Sequence, residues 1–254
     1  MPLDRSSAGD PARTLALLWR DASAVPVRGP RRTTDLDTVV DASIALADAE
    51  GLDAVTMRRV AERVGIPPMS VYTYVPGKAE LLDLMLDAVY TRMSRTDTSG
   101  RAWRERLATV ARENWELFEA HPWAAAVSTL RPPLGPGQTE KYEHELTALD
   151  GTGLSDVEAD DCLTHLLTFV RACARDAVDA RDTRRSSAMD DAQWWAVAGP
   201  VLDRVLDPAR YPRATRIGSA AGSEHASAHD PEHAYRFGLE RVLDGLAVLV
   251  DQRT

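Results

Sequence analysis

Between Thr56 and Leu86 the chain reads TMRRVAERVGIPPMSVYTYVPGKAELLDLML, and the punctuation of this stretch decides the fold. Thr56 is a side-chain cap set directly before Met57, Val60, Ala61 and Val64, which hold the i, i+3, i+4, i+7 positions of one helical face. Gly65 supplies the stop. Pro67-Pro68 then opens a second element, Met69 to Tyr74, about two turns long before Pro76-Gly77 break the chain again. A helix that short does not hold itself and must be clamped by its neighbours, with Val71 as the inward residue. Two short helices around a glycine turn, the second presenting Met, Ser, Tyr and Thr outward, match the helix-turn-helix in which the second helix enters a DNA major groove. Plain helical hairpins share that spacing, so geometry alone leaves both readings open.

Upstream, Thr34 and Asp37 make a capping-box-like start, Leu36, Val40, Ile44 and Ala47 keep a helical stripe, and Gly51 ends it. Downstream, Lys78 to about Arg95 (78–95) reads as a connector helix with Leu81, Leu82, Met85 and Val89 on its apolar side. Further helical segments are expected over about 102–120, 123–131, 138–150, 155–181, 189–206 and 231–251, divided by Pro and Gly breaks. Residues 1–32 read as a flexible Arg-containing extension with a short helix over Ala12 to Arg20, and 208–229, rich in Ser, Ala and Gly, as a mobile surface loop. Strand signals are scarce. The expectation is an all-α chain with a three-helix DNA-binding unit over 33–78 and a larger helical ligand-binding and dimerisation domain over 79–254.

The composition, 254 residues with 44% apolar and 27% charged, is that of a globular chain. Its longest apolar runs, Leu15 to Trp19 and Leu246 to Val250, fall far short of the roughly 18 residues a bilayer span needs, so no membrane partner is expected. The N-terminus lacks a basic-then-apolar signal pattern, which points to the cytoplasm. A formal net charge of −9 argues at first against nucleic acid, since phosphates are neutralised by excess Lys and Arg. The deficit is not evenly spread: up to Lys78 there are ten basic and ten acidic residues, and beyond it 20 basic against 29 acidic. Even 33–78 hold four basic and seven acidic residues, so charge must be arranged by face, with weak non-specific affinity and a modest salt slope as the consequence.

Cys162 and Cys173 sit eleven residues apart on one helix, roughly 16 Å along its axis, too far for a disulfide. Burial as small apolar side chains is the plain reading, with a redox-sensing thiol as the alternative. His225, His229 and His233 recur every fourth residue, a possible metal face, but Pro231 interrupts it, and Asp230-Pro231 reads better as an N-cap and first helical position. No metal site and no cofactor is expected. The chain also lacks a Gly-x-Ser-x-Gly, P-loop or His-Glu-x-x-His sequence, so an enzyme is not indicated.

The stretch quoted above closely resembles the TetR family of transcriptional regulators, whose Thr-x-Arg helix start, glycine turn, Leu-Tyr-x-His-Phe-like recognition helix and connector lysine correspond to Thr56, Arg58, Gly65, Val71 to Val75 and Lys78. WAAAVSTLRP, Trp123 to Pro132, and AYRFGLERVLDGL, Ala234 to Leu246, resemble the tetracycline-repressor-type C-terminal domain. The family's magnesium-binding histidine has no counterpart, Val127 or Ser128 standing there, and its drug-contacting histidine falls near Ser94, so a magnesium–tetracycline chelate is not expected. Tyr74 replaces the usual recognition-helix histidine.

The resemblance implies roles. Thr56, Tyr72, Tyr74 and Lys78 would bind phosphate oxygens, while Arg58, Met69, Ser70 and Thr73 would face bases, with Pro68 also in the DNA-binding set. Arg58 could equally be a second phosphate clamp, and Met69 a core residue. Arg28, Arg31 and Arg32 could reach the minor groove or remain a solvated tail. Ligand-binding candidates are aromatic: Trp103, Trp115, Phe118, Trp123, Phe169 and Trp194, although core packing explains them as well. Polar candidates beside them are Asn114, His121, His165, Arg131 and the Arg131-Pro132 turn. Leu163, Leu166, Leu167 and Val170, with Leu239, Val242, Leu243, Leu246 and Leu249, are candidates for a two-fold interface. The expected molecule is a homodimeric repressor released from a palindromic double-stranded DNA operator by a small-molecule inducer. A metal- or redox-responsive regulator on the same scaffold, or an activator, is the alternative.

Overall fold

The computed structural model describes residues 5–21, 34–225, 227 and 230–253, and these fold into α-helices with no strand among them. The first part holds α1 (Pro11–Leu18), α2 (Leu36–Glu50), α3 (Met57–Val64), α4 (Pro68–Val71) and α5 (Lys78–Arg92). The second holds α6 (Trp103–Ala120), α7 (Pro122–Ala126), α8 (Pro136–Leu146), α9 (Asp156–Ser186), α10 (Asp191–Val205), α11 (Pro212–His225) and α12 (Pro231–Asp251). No helix among the described residues is long and apolar enough to cross a membrane.

Local chemistry sets the boundaries of α3 and its neighbours. The Thr56 hydroxyl accepts from Arg59 N at 3.3 Å and starts α3, and Gly65 ends it in the left-handed region at φ 77°, ψ 33°. The α2 cap is Asp35, one residue beyond the expected Thr34, because its carboxylate reaches Thr38 N at 2.8 Å. The element after Pro67 is shorter than two turns: α4 spans four residues and continues as turns, with Tyr74 N and Val75 N both donating to Val71 O. Val71, Val75, Val60 and Ala61 are fully buried beneath it, which is the clamping that so short a helix requires.

Helix α5 joins the halves and is buried on every side rather than along one stripe. Leu81, Met85 and Leu86 have no exposed surface, and Asp83 and Asp87 are buried with them. Asp87 Oδ1 accepts from Gln138 N at 2.9 Å at the start of α8, and a β-carbon added to Gly137 would collide with the Asp87 carbonyl. The two helices therefore meet backbone to backbone. Behind them α9, opened by a Ser155–Glu158 capping box, packs on α6 and α12.

Three expectations need correction. The short helix expected over Ala12 to Arg20 is α1, and it is no open lead-in: it docks on α5, with Leu17 and Leu18 in the core, and residues 5–21 find hydrogen-bond partners far along the chain. Within 208–229, Pro212–His225 form α11, since an Ala-rich run propagates a helix without a large apolar face. Third, Leu163, Leu166 and Val170 of α9 and Leu243 and Leu246 of α12 are buried in the chain's own core, while Leu167, Leu239, Val242 and Leu249 of the same stripes are only partly buried. Arg28, Arg31, Arg32 and His229 lie outside the described residues.

Candidate nucleic-acid interface and ligand cavity

The clamped core of the helix-turn-helix pushes its polar residues outward. Arg58 leaves 81% of its side chain in solvent and is tethered only by Glu62, one turn on, at 2.9 Å. Such an exposed pair is worth about 0.2–1 kcal/mol, so a phosphate or a guanine edge can replace it at little cost. Met69 is 75% exposed, which removes the core reading, and Pro68, Tyr72 and Thr73 are exposed beside it. Ser70 is half-buried and gives its carbonyl to the Thr73 hydroxyl at 2.7 Å. Thr56, exposed, spends one lone pair on its cap. Lys78 is half-buried at the start of α5 with Nζ 3.4 Å from Leu52 O. Tyr74 is the correction in this set: its ring is buried in the core cluster, because the turn after α4 rotates it inward beside Val75.

A second, separate feature is a cavity of about 380 Å³ between α5, α6, α8 and α9, closed on one side by the turn after α7. Of the expected ligand residues it is lined by Asn114, Phe118 and Pro132. Its wall is apolar where Phe118, Ala124, Leu163 and Leu167 meet, and its floor is charged. Lys141 Nζ lies 2.6 and 2.7 Å from the two oxygens of Glu145, and Asn114 Nδ2 donates to Glu145 Oε1 at 2.6 Å. These two ions keep only 7% and 1% of their side-chain surface. Lys141 also stands 5.6 Å above the Tyr90 ring, and burial pushes the Tyr90 phenol well above its ordinary range. Arg171 donates to the Thr129 hydroxyl, and Tyr142 to Asp160 at 2.7 Å, around the rim. Nothing in the sequence marks Lys141 and Glu145, whose i, i+4 spacing reads as a surface pair.

The other aromatics serve elsewhere. Trp123 Nε1 donates to Asp48 Oδ1 at 2.8 Å and His121 Nδ1 lies 2.9 Å from the same oxygen, so both hold α2 rather than a ligand. Trp115 stacks on Tyr235 at 4.2 Å, with Phe169 on the same ring system at 6.2 Å, and Trp103 packs half-buried on the core. Trp194 is 51% exposed on α10, while Trp195 turns toward Gly222 of α11. His165 and Arg131 are exposed. The tryptophans are claimed by helix packing or lie on the surface, and the rings that line the cavity are those of Phe118, Tyr90 and Tyr142.

Burial pushes both the Cys162 and Cys173 thiols up, away from the reactive thiolate. His225 ends α11 and His233 starts α12, with the Asp230 carboxylate between them capping α12 through Glu232 N and His233 N at 3.0 Å.

With this geometry in place, comparison with known proteins is specific. Residues 39–85 match the family model described as bacterial regulatory proteins, tetR family, and residues 97–250 the one described as tetracyclin repressor-like, C-terminal domain. The chain is 42% identical over 251 residues to the HTH-type transcriptional repressor DrrR1 of Streptomyces coeruleorubidus, covering 98% of this chain and 90% of that one. Apo ActR of Streptomyces coelicolor superposes with a TM-score of 0.70 at 26% identity, over 89% of this chain and 100% of ActR. The complex of ActR with actinorhodin gives 0.68 at 27% identity, over 85% and 97%.

Proposed function

The chain belongs to the tetR family of bacterial regulatory proteins, and from that premise we propose that it is a homodimeric transcriptional repressor released from a palindromic operator by a small-molecule inducer. The observation that carries the reading is that one buried helix, α5, begins at the exposed DNA-reading face and ends as a wall of the cavity, at Tyr90. No catalytic constellation is involved; the protein's work is binding and release.

Arg58, Met69, Ser70 and Thr73 face base edges, and Thr56, Tyr72 and Lys78 set the register on phosphates. Two such surfaces must be spaced about 34–36 Å apart to read successive major grooves, which a second copy supplies. The outer faces of α9 and α12, where Ala172, Gly245 and Val248 remain exposed, are free to meet that copy. In the cavity, an apolar wall facing Lys141, Asn114 and Arg171 suits a flat, mostly apolar molecule with oxygens along one edge. Such a ligand acts as inducer only if it binds the DNA-incompetent conformation more tightly. The α6–α7 corner gives it purchase, since Phe118 and Ala124 line the cavity while His121 and Trp123, between them, grip Asp48.

Selection of bound duplexes from a random pool by the purified protein tests the DNA half, with enrichment of a two-fold symmetric site as the expected result. Titration of the selected complex with actinorhodin, the ligand of the ActR complex, tests the cavity. Release from DNA that is lost in Leu167→Trp is expected. A pool without symmetric enrichment would overturn the homodimer on a palindromic operator.

A further inference from the structure

Residues 5–21 precede both matched regions and touch three separate parts of the molecule. Ser6 N donates to Ser128 O at 3.1 Å, the Ser6 hydroxyl reaches the carbonyl of Arg131, and the Ser7 hydroxyl that of Pro132 at 3.2 Å. Further along, Trp19 Nε1 donates to Leu134 O at 2.8 Å. The carbonyls of the turn after α7 are thus held from outside by this segment, while Thr129, Leu130 and Pro132 of the same turn line the cavity.

The segment's other contacts lie on the helix between the halves and on the DNA-reading unit. Ser7 N donates to Asp83 Oδ1 at 2.8 Å, and Gly9 passes so close to Glu80 that a β-carbon there would collide with its carboxylate. Asp83 is fully buried and burial pushes its carboxyl up to about 6, so the Ser7 amide is a strong partner for an otherwise poorly solvated acid. Arg20 pairs with Asp37 in the first turn of α2. Ser7 and Arg20 take left-handed φ values of 51° and 52°, a conformation that non-glycine residues adopt only where surrounding contacts enforce it.

We propose that residues 5–21 are a strap that transmits the position of the cavity's turn to α5 and α2, so that cavity and DNA are coupled partly through a segment that precedes both matched regions. This rests on the reading of the chain as an operator-binding protein. By linkage, operator binding must then alter the turn as a cavity ligand alters DNA affinity.

The test is hydrogen exchange by mass spectrometry on the full chain with and without a selected operator duplex. Operator is expected to slow exchange over 56–78 and to change it at 128–134 by at least about fivefold. In Ser7→Pro, which loses the amide donor and cannot adopt φ 51°, the change at 56–78 persists and that at 128–134 falls below about twofold. If Ser7→Pro does not fold, Trp19→Ala, exposed and joined to the turn through one indole N–H, decides in the same way. An unchanged turn in the native chain, or an equal response in the variants, overturns the strap alone. Absence of protection at 56–78 instead shows that DNA is not bound, and the operator reading and the strap fall together.

Discussion

The DNA-reading unit and the ligand cavity divide their residues in opposite ways. Around α3 and α4, groups that stabilise are buried and apolar, Val60, Ala61 and Val71, while groups that would touch DNA stand in water, Arg58 and Met69. At the floor of the cavity the polar groups, Lys141, Glu145 and Asn114, are themselves core residues, and they hold α6 to α8. Function and stability are therefore separable in the first region and inseparable in the second.

Substitutions can break or sharpen that contrast. The largest effect belongs to Lys141→Met, which leaves Glu145 buried with one partner fewer and is expected to cost about 3–5 kcal/mol in urea unfolding. A loss under about 1 kcal/mol would mean that the floor of the cavity is as independent of the fold as the DNA face. Gly137→Ala, forced against the Asp87 carbonyl, should cost about 1–3 kcal/mol by the same measurement. Arg58→Ala should weaken operator affinity by roughly 1–3 kcal/mol with relaxed choice at one base, yet leave thermal unfolding unchanged. A uniform loss across sequences would make Arg58 a phosphate clamp.

The smallest expected effect concerns pH. Asp83 has its folded pKa raised to about 6 from the usual carboxylate range, so its ionisation opposes folding above that pH and the opposition fades as pH falls through 6 toward 4. Asp83→Asn should then gain on the order of 1 kcal/mol over the native chain at pH 7.5 and little at pH 4.5, read as the difference in Tm. A constant difference across that range would mean that the carboxyl is ionised as readily as a surface acid.

The same division decided what could be read from the chain. Caps and stops act within a few residues, so Thr56, Gly65 and the Asp230-Pro231 start of α12 were legible from spacing alone. The exposure of Arg58, Met69, Tyr72 and Thr73 follows from the helices they sit on or beside, whereas the burial of Tyr74 depends on how a four-residue helix gives way to turns. Contacts made at long range were not legible. Ser7 meets Asp83, and Asp48 meets both His121 and Trp123, across separations that no periodicity encodes. Charged residues with helical spacing look like solvated surface, which hid Lys141, Glu145 and the buried acids of α5. Aromatic residues serve packing and ligand contact alike, and spacing does not distinguish Trp103, Trp115 and Trp194, which lie outside this cavity, from Phe118, which lines it.

The burial of α5 on all sides has a bearing on the shape of the response. A helix with one free face can slide or roll by small amounts, and its output then follows the input smoothly. Here Asp87 against Gly137, Asp83 against Ser7, and Leu81, Met85 and Leu86 in the core leave no such face. Close-packed contacts of this kind exchange one discrete arrangement for another rather than deforming by degrees. The chain should therefore behave as a two-position element, so that whatever moves α5 produces a mixture of two discrete arrangements and not a population of half-shifted ones.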